Sequence, residues 1–158
     1  MDNAKKLLMD EAIKLADNNL NSTINGPFGA IIVKNNIIVG RGANSVASTN
    51  DPTAHAEVNA IRDACKNLNT FDLESCDIYT SCEPCPMCLG AIYWAHIKNI
   101  YYACHKKDAA EAGFDDAFIY NEFDLAIDKR SIPATQINQE DAKKIFVKWI
   151  DKQDKICY

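Results

Sequence analysis

From Asp2 to about Leu20 the apolar residues Leu8, Ala12, Leu15 and Ala16 recur at helical spacing, with Lys5, Asp10 and Asp17 elsewhere. That is the pattern of a helix packed on a core. Asn25-Gly26-Pro27 breaks it. Phe28 to Lys34, with Ala30-Ile31-Ile32-Val33 apolar on both faces, reads as a strand. Asn35-Asn36 predicts a tight turn, and Ile37 to Gly42 the return strand of a hairpin. Gly29, inside the first strand, signals either close approach of another backbone or a bulge. Ala43 to Thr53 is polar and rich in Asn, Ser and Thr, so it is expected to form a surface loop. Asp51-Pro52-Thr53 is a helix-start signal. It leads into a predicted helix from Ala54 to about Leu68 with Val58, Ile61, Cys65 and Leu68 on its buried face.

Asp77 to Thr80 predicts a short strand. Pro86 suits the first turn of a helix reaching about His96, and Asn99 to Cys104 reads as a further strand. Single strands alternating with helices imply right-handed crossovers and parallel pairing for the later strands. Lys107 to Tyr120 reads as short helical pieces separated by Gly113. Ser131 to Ile137 is a candidate fifth strand, placed at an edge or bend by Pro133. Asn138 opens a last helix with Ala142, Ile145, Phe146 and Trp149 on one face. The fold class expected is α/β, a three-layer α/β/α domain with a mixed central sheet of about five strands, and the 158 residues suit a single domain.

Composition narrows the function. The net charge of −5 argues against a dedicated binder of DNA or tRNA, since phosphate contacts need an excess of Lys and Arg on one face. No stretch is long and apolar enough to span a bilayer, and the N-terminus leads into no secretory signal. The 7 cysteines are an odd number and clustered in spacing. Together these features favour reduced thiols and a cytoplasmic location, with some of the thiols on metal.

The chemistry gathers in Thr80 to Ala95, where Cys82, Cys85 and Cys88 stand at three-residue intervals and the last two are framed as Pro-Cys-x-x-Cys. A helix start places the Cys85 and Cys88 thiolates on one side of one turn. With His55 of His55-Ala56-Glu57, they make a donor set for a catalytic zinc that keeps its fourth position open. His55 and Glu57 are expected in the first turn of their helix. The positive end of a helix dipole favours thiolate over thiol. Zinc lowers the pKa of a bound water from 15.7 to about 7, giving hydroxide at neutral pH. Glu57, two residues beyond His55, is placed to move that water's proton to a ring nitrogen and then to a leaving amine. His-x-Glu followed by Pro-Cys-x-x-Cys is the pattern of the zinc nucleobase deaminases. A closed structural site with Cys82 as fourth ligand is the rival arrangement; Cys82 is taken as a non-ligand near the site. Asn44 either stabilises a turn or presents a donor and an acceptor to a base edge. Phe28, Phe114 and Trp94 either wall off a base or pack in the core.

At these residues the sequence resembles the cytidine deaminase superfamily and, more narrowly, the bacterial guanine deaminases. The resemblance covers nearly the whole chain. Gly26-Pro27-Phe28-Gly29-Ala30, Asn50 to Glu57, Thr80 to Ala95 and Asp108 to Asp116 carry it. The last run, with Ala112-Gly113-Phe114-Asp115-Asp116, distinguishes guanine deaminases from tRNA adenosine and cytosine deaminases. The resemblance implies one zinc per subunit on His55, Cys85 and Cys88, with Glu57 as proton shuttle. It implies that Asn44 binds the base and that Asp116 contacts the guanine amino group and assists its departure. It further implies a homodimer whose C-terminal segment is swapped, so that Tyr158 closes the partner's pocket. The expected reaction is hydrolytic deamination of guanine to xanthine and ammonia by a zinc-bound hydroxide. The alternative is deamination of another base or nucleoside: guanosine, cytosine or tRNA adenosine.

Overall fold

The computed structural model describes residues 3–157. Tyr158, the C-terminal residue expected at the pocket, lies outside the described residues. The chain forms two compact units, Met1–Asp116 and Ala117–Tyr158.

In the first unit α1 (Asn3–Asn19) precedes the hairpin of β1 (Gly29–Lys34) and β2 (Ile37–Ala43). Asn35 and Asn36 both take positive φ, 51° and 62°, as a two-residue turn matched to strand twist requires. A four-residue helix, α2 (Val46–Thr49), follows inside the stretch expected to be loop. It is too short to leave an apolar period. Then come α3 (Ala56–Leu68), β3 (Asp77–Cys82), α4 (Pro86–Trp94), β4 (Asn99–Cys104) and α5 (Lys106–Glu111).

The strand order is β2-β1-β3-β4, with β1 antiparallel to both β2 and β3, and β3 parallel to β4. The mixed sheet therefore has four strands among the described residues. Ser131 to Ile137 forms no strand; Pro133 has no N–H to donate to a ladder.

The alternation along β1 sorts the layers. Ile31 and Val33 pack with Ala12 of α1 and Tyr79 on one face, whereas Ala30 and Ile32 pack with Ala56, Ala60, Ala64 and Ile92 of α3 and α4 on the other. This is the expected α/β/α arrangement. Its closeness depends on glycine. A Cβ on Gly29 would stand 2.6 Å from the Ala16 nitrogen of α1, so that glycine marks close approach of a helix; the sheet irregularity falls at Ile32–Val33 instead. A Cβ on Gly42 would run into the Ala56 carbonyl and the Ala60 nitrogen of α3. Ala56 stands between His55 and Glu57, so Gly42→Ala pushes on the turn that carries both. Overpacking of this kind costs about 1–3 kcal/mol. The variant is expected to unfold at lower denaturant and to bind zinc more weakly, as denaturant melts and a zinc titration would show; wild-type values in both would contradict the packing.

The second unit holds α6 (Ala117–Asp124), a 3-10 turn at Ile127–Lys129 and α7 (Gln139–Asp151). Asn138 occupies the N-cap of α7 in the left-handed region but makes no side-chain cap. The apolar face of α7 is present as the periodicity predicts, and Ile145, Phe146 and Ile150 are each about two-thirds exposed.

Candidate active site

Two helix starts and two strand ends build the site. His55 is the N-cap of α3, with extended backbone (φ −72°, ψ 159°), so the helix begins at Ala56 and not, as the apolar period suggests, before His55. The Asp51-Pro52-Thr53 signal makes a separate turn. Asp51 Oδ1 accepts hydrogen bonds from the Thr53 N–H at 2.8 Å and its hydroxyl at 2.6 Å. Cys85 is the N-cap of α4, in matching extended conformation, with Pro86 behind it. A residue in that conformation turns its side chain off the helix end, and both N-caps aim at one point.

There His55 Nδ1 lies 3.5 Å from Cys85 Sγ and 3.5 Å from Cys88 Sγ. All three donor atoms lie within 4.8 Å of one another. A tetrahedral zinc with bonds of about 2.3 Å to sulfur and about 2.0–2.1 Å to nitrogen has S···N edges of about 3.6 Å, so the donor set fits that ion. Cys82 stands apart. Its thiol donates to the His105 carbonyl at 3.6 Å, and burial, with the charge of Cys104, pushes it up to about 11. Turned to that carbonyl, Cys82 is not among the three converging donors. The site is three-coordinate from protein, as catalytic zinc requires.

The electrostatics without metal are those of one proton shared by two sulfurs. Cys85 is held down to about 4 by the hydrogen bond from Cys88 and by His55. Cys88, wholly buried, is pushed up by that same bond, by burial and by the Glu57 charge. His55 is raised by its hydrogen bond to Cys85.

Glu57 is the buried carboxylate of the site, 6% exposed. Burial raises its pKa against the hydrogen bonds it accepts from its own backbone and from Thr80. The Thr80 hydroxyl donates to Oε1 at 2.9 Å, and the Cys88 thiol faces Oε2 at 3.4 Å. Asp116 ends the first unit on the same side: burial raises its pKa, and the nearby Cys85 thiolate raises it further.

Asn44 stabilises the turn, the first of the two roles the sequence leaves open. Its Oδ1 accepts from the Gly26 and Val46 N–H groups at 3.2 and 3.4 Å, so the acceptor end is committed to the loop. Phe28 meets Phe114 edge to face, ring centroids 4.9 Å apart. Both follow the glycine-containing turns on either side of the site. Trp94 sits at the opposite end of α4 from Cys85, 67% exposed. The helix carries it about 9 Å along the axis from Cys88 and about 13 Å from Cys85, so it is not brought into the cluster of His55, Glu57, Cys85 and Cys88.

The sequence pattern marked neither Thr80 nor Glu83 as functional. The signal for Thr80 was parity: it shares a strand face with Ile78 and Cys82, where an apolar side chain is the rule. Glu83 offered no such signal. Its Oε2 accepts from the Lys106 N–H at 3.2 Å, tying the cysteine loop to the start of α5, the helix that leads to Asp116.

Residues 2–104 match the cytidine and deoxycytidylate deaminase zinc-binding region. The chain belongs to that family. It is 53% identical to the guanine deaminase of Bacillus subtilis over 141 residues, 89% of this chain and 90% of that one. The crystal structure of guanine deaminase from that organism superposes with a TM-score of 0.94 and 49% identity over 100% of this chain and 99% of its own. The tRNA-specific adenosine deaminase of Aquifex aeolicus is 46% identical over 81 residues, 51% of this chain and 54% of that one. Membership makes the chain a zinc-dependent hydrolase, and its zinc site is the one family feature that the geometry of His55, Cys85 and Cys88 reproduces directly.

Proposed function

We propose that this protein hydrolyses guanine to xanthine and ammonia. The observation that carries the substrate is the extent of similarity: the relation to guanine deaminase runs through 89% of the chain, that to the tRNA deaminase through 51%. The segment from α5 to Asp116 lies beyond residues 2–104, the zinc-binding region itself.

Zinc on His55, Cys85 and Cys88 supplies Lewis acidity that makes water nucleophilic near neutral pH. The chain's own residues do the rest. Glu57 accepts the proton lost by the attacking water and delivers it to N3 of the purine as C2 is attacked. The proton left on the new C2 hydroxyl then passes through Glu57 to the amino group, the C2–N bond breaks as the C2 carbonyl forms, and ammonia departs, leaving Glu57 ionised as it began. Asp116, an acceptor when ionised, suits the N1–H and 2-amino donors of guanine and receives the departing amine. The Nδ2 of Asn44 donates to an acceptor of the base, and Phe28, braced by Phe114, walls the ring.

No helix among the described residues is long and apolar enough to cross a membrane. The cytoplasmic location we propose rests on the odd, clustered cysteines. We further propose a single deaminase domain per chain that works as a homodimer, with Ala117–Tyr158 crossing to the second copy and Tyr158 reaching its pocket. The exposed apolar side chains of α7 are what such a crossing would cover.

Ammonia release from a panel of guanine, guanosine, cytosine and a tRNA anticodon stem tests the substrate on zinc-loaded protein. Guanine is expected to lead by a wide margin, and a preference for guanosine would overturn the assignment. Asp116→Asn is expected to lower kcat/KM for guanine about tenfold or more, since a site facing donors with an amide loses about 1–3 kcal/mol of complementarity. Unchanged selectivity in that variant would remove Asp116 from recognition.

A further inference from the structure

We propose that Thr80 is the positioning residue for Glu57: its hydroxyl fixes Oε1 and thereby reserves Oε2 for proton transfer. The inference rests on the deaminase reading of the site and adds to it the means by which the carboxylate is held.

Thr80 is 1% exposed. It lies in an interior strand, in register with Ala30 of β1 on one side and Tyr102 of β4 on the other. Backbone ladders on both edges keep it from sliding. A β-branched side chain has few χ1 choices, so the hydroxyl is fixed in direction as well as in place. It donates to Glu57 Oε1 at 2.9 Å. Oε2 points the other way, 3.4 Å from Cys88 Sγ, on the side of His55 and Cys85.

The surroundings of Glu57 offer little else to orient it. Its neighbours on the helix and in the core beneath include Ala56, Ala60 and Ala64, which can fill space but cannot steer a carboxylate. Polar groups facing it are Thr80, Cys88 and its own backbone N–H. With Cys88 engaged as a zinc thiolate, its thiol proton is gone, and among the described residues Thr80 becomes the one side chain still donating to the carboxylate. A carboxylate with equivalent, rotating oxygens would spend much of its time misaligned for transfer between water and N3. Misplacement of about 1 Å is enough to cost about 10²-fold in rate. The transfers balance: Oε2 takes the water's first proton and gives it to N3, then takes the C2 hydroxyl proton and gives it to the leaving amine, so that Glu57 is ionised again once ammonia has left.

The test compares Thr80→Val, which keeps the shape and deletes the hydroxyl, with Thr80→Ser, which keeps the hydroxyl. Thr80→Val is expected to bind zinc as the wild type does, to keep KM for guanine, and to lose kcat roughly 10–100-fold. Thr80→Ser is expected to recover most of that loss. Infrared spectra of the zinc-free protein give a readout apart from turnover. The carboxyl band of Glu57, identified by its loss in Glu57→Gln, is expected to shift in Thr80→Val and to return in Thr80→Ser. Wild-type kcat in Thr80→Val, equal impairment of both variants, or loss of zinc from Thr80→Val would each overturn the proposal. Should the wild type release no ammonia from guanine, the substrate reading fails alone, and the infrared band still decides for or against Thr80.

Discussion

Glu57→Gln, loaded with zinc, is expected to retain the metal and the fold and to lose kcat by about 10²–10⁴-fold. The amide matches the carboxylate in shape and can still accept the Thr80 hydrogen bond through its oxygen. What it cannot do is carry a proton. Glu57 is the group placed to carry one. It stands at the first turn of α3 with its carboxylate against the zinc thiol Cys88, and it is shielded from solvent. Asp116 is more exposed and lies on another element. Metal analysis and single-turnover kinetics check the expectation. Activity within a few-fold of the wild type, with zinc bound, would remove Glu57 from proton transfer.

Removal of zinc is expected to abolish turnover and to lower the unfolding midpoint by several degrees. The stability effect follows from linkage, since a ligand bound only by the native state stabilises by about 2.7 kcal/mol at a hundred times its Kd. Here the ion ties the starts of α3 and α4 together through His55, Cys85 and Cys88. The ligand set makes the outcome specific. Cys88→Ala should lose zinc and activity, because the wholly buried sulfur has no substitute. Cys82→Ala should keep both, because its thiol is turned to the His105 carbonyl. The sign of the pH effect follows from the shared proton. Cys88 is held neutral in the metal-free protein and must ionise to bind, so zinc uptake releases protons and zinc affinity rises with pH. Calorimetric titration of both variants at two pH values checks this. Loss of zinc from Cys82→Ala would restore the closed, four-ligand arrangement and contradict a catalytic centre.

The C-terminal unit needs a different experiment from the site. Its helices carry apolar residues such as Phe118, Phe123, Ile145 and Phe146 that are more than half exposed, and sedimentation of the full chain measures directly whether a second copy covers them.

Local chemistry explains what could be read from the chain alone. The hairpin was legible because Asn35-Asn36 tolerates positive φ and the flanking residues are β-prone. The long helices were legible because each buries one face, and the ligands because His55 and the Cys85–Cys88 pair each stand at a helix start. Short or unpaired segments were not legible. α2 has too few residues for a period, and Ser131 to Ile137 carries strand-forming residues but forms no strand, with Pro133 unable to donate to a ladder.

The amino-acid sequence by itself thus determined the metal and the layered α/β architecture, because thiolate and imidazole spacing and apolar periodicity are local properties. Only the tertiary structure decided which side chains those groups meet. It set Cys82 aside and turned Asn44 so that its acceptor serves the loop. It also brought Thr80 of β3 to Glu57 of α3. These are contacts between residues far apart in the chain. The placement of Glu57 depends on how closely α3 rides on β2, where Gly42 leaves no room for a side chain.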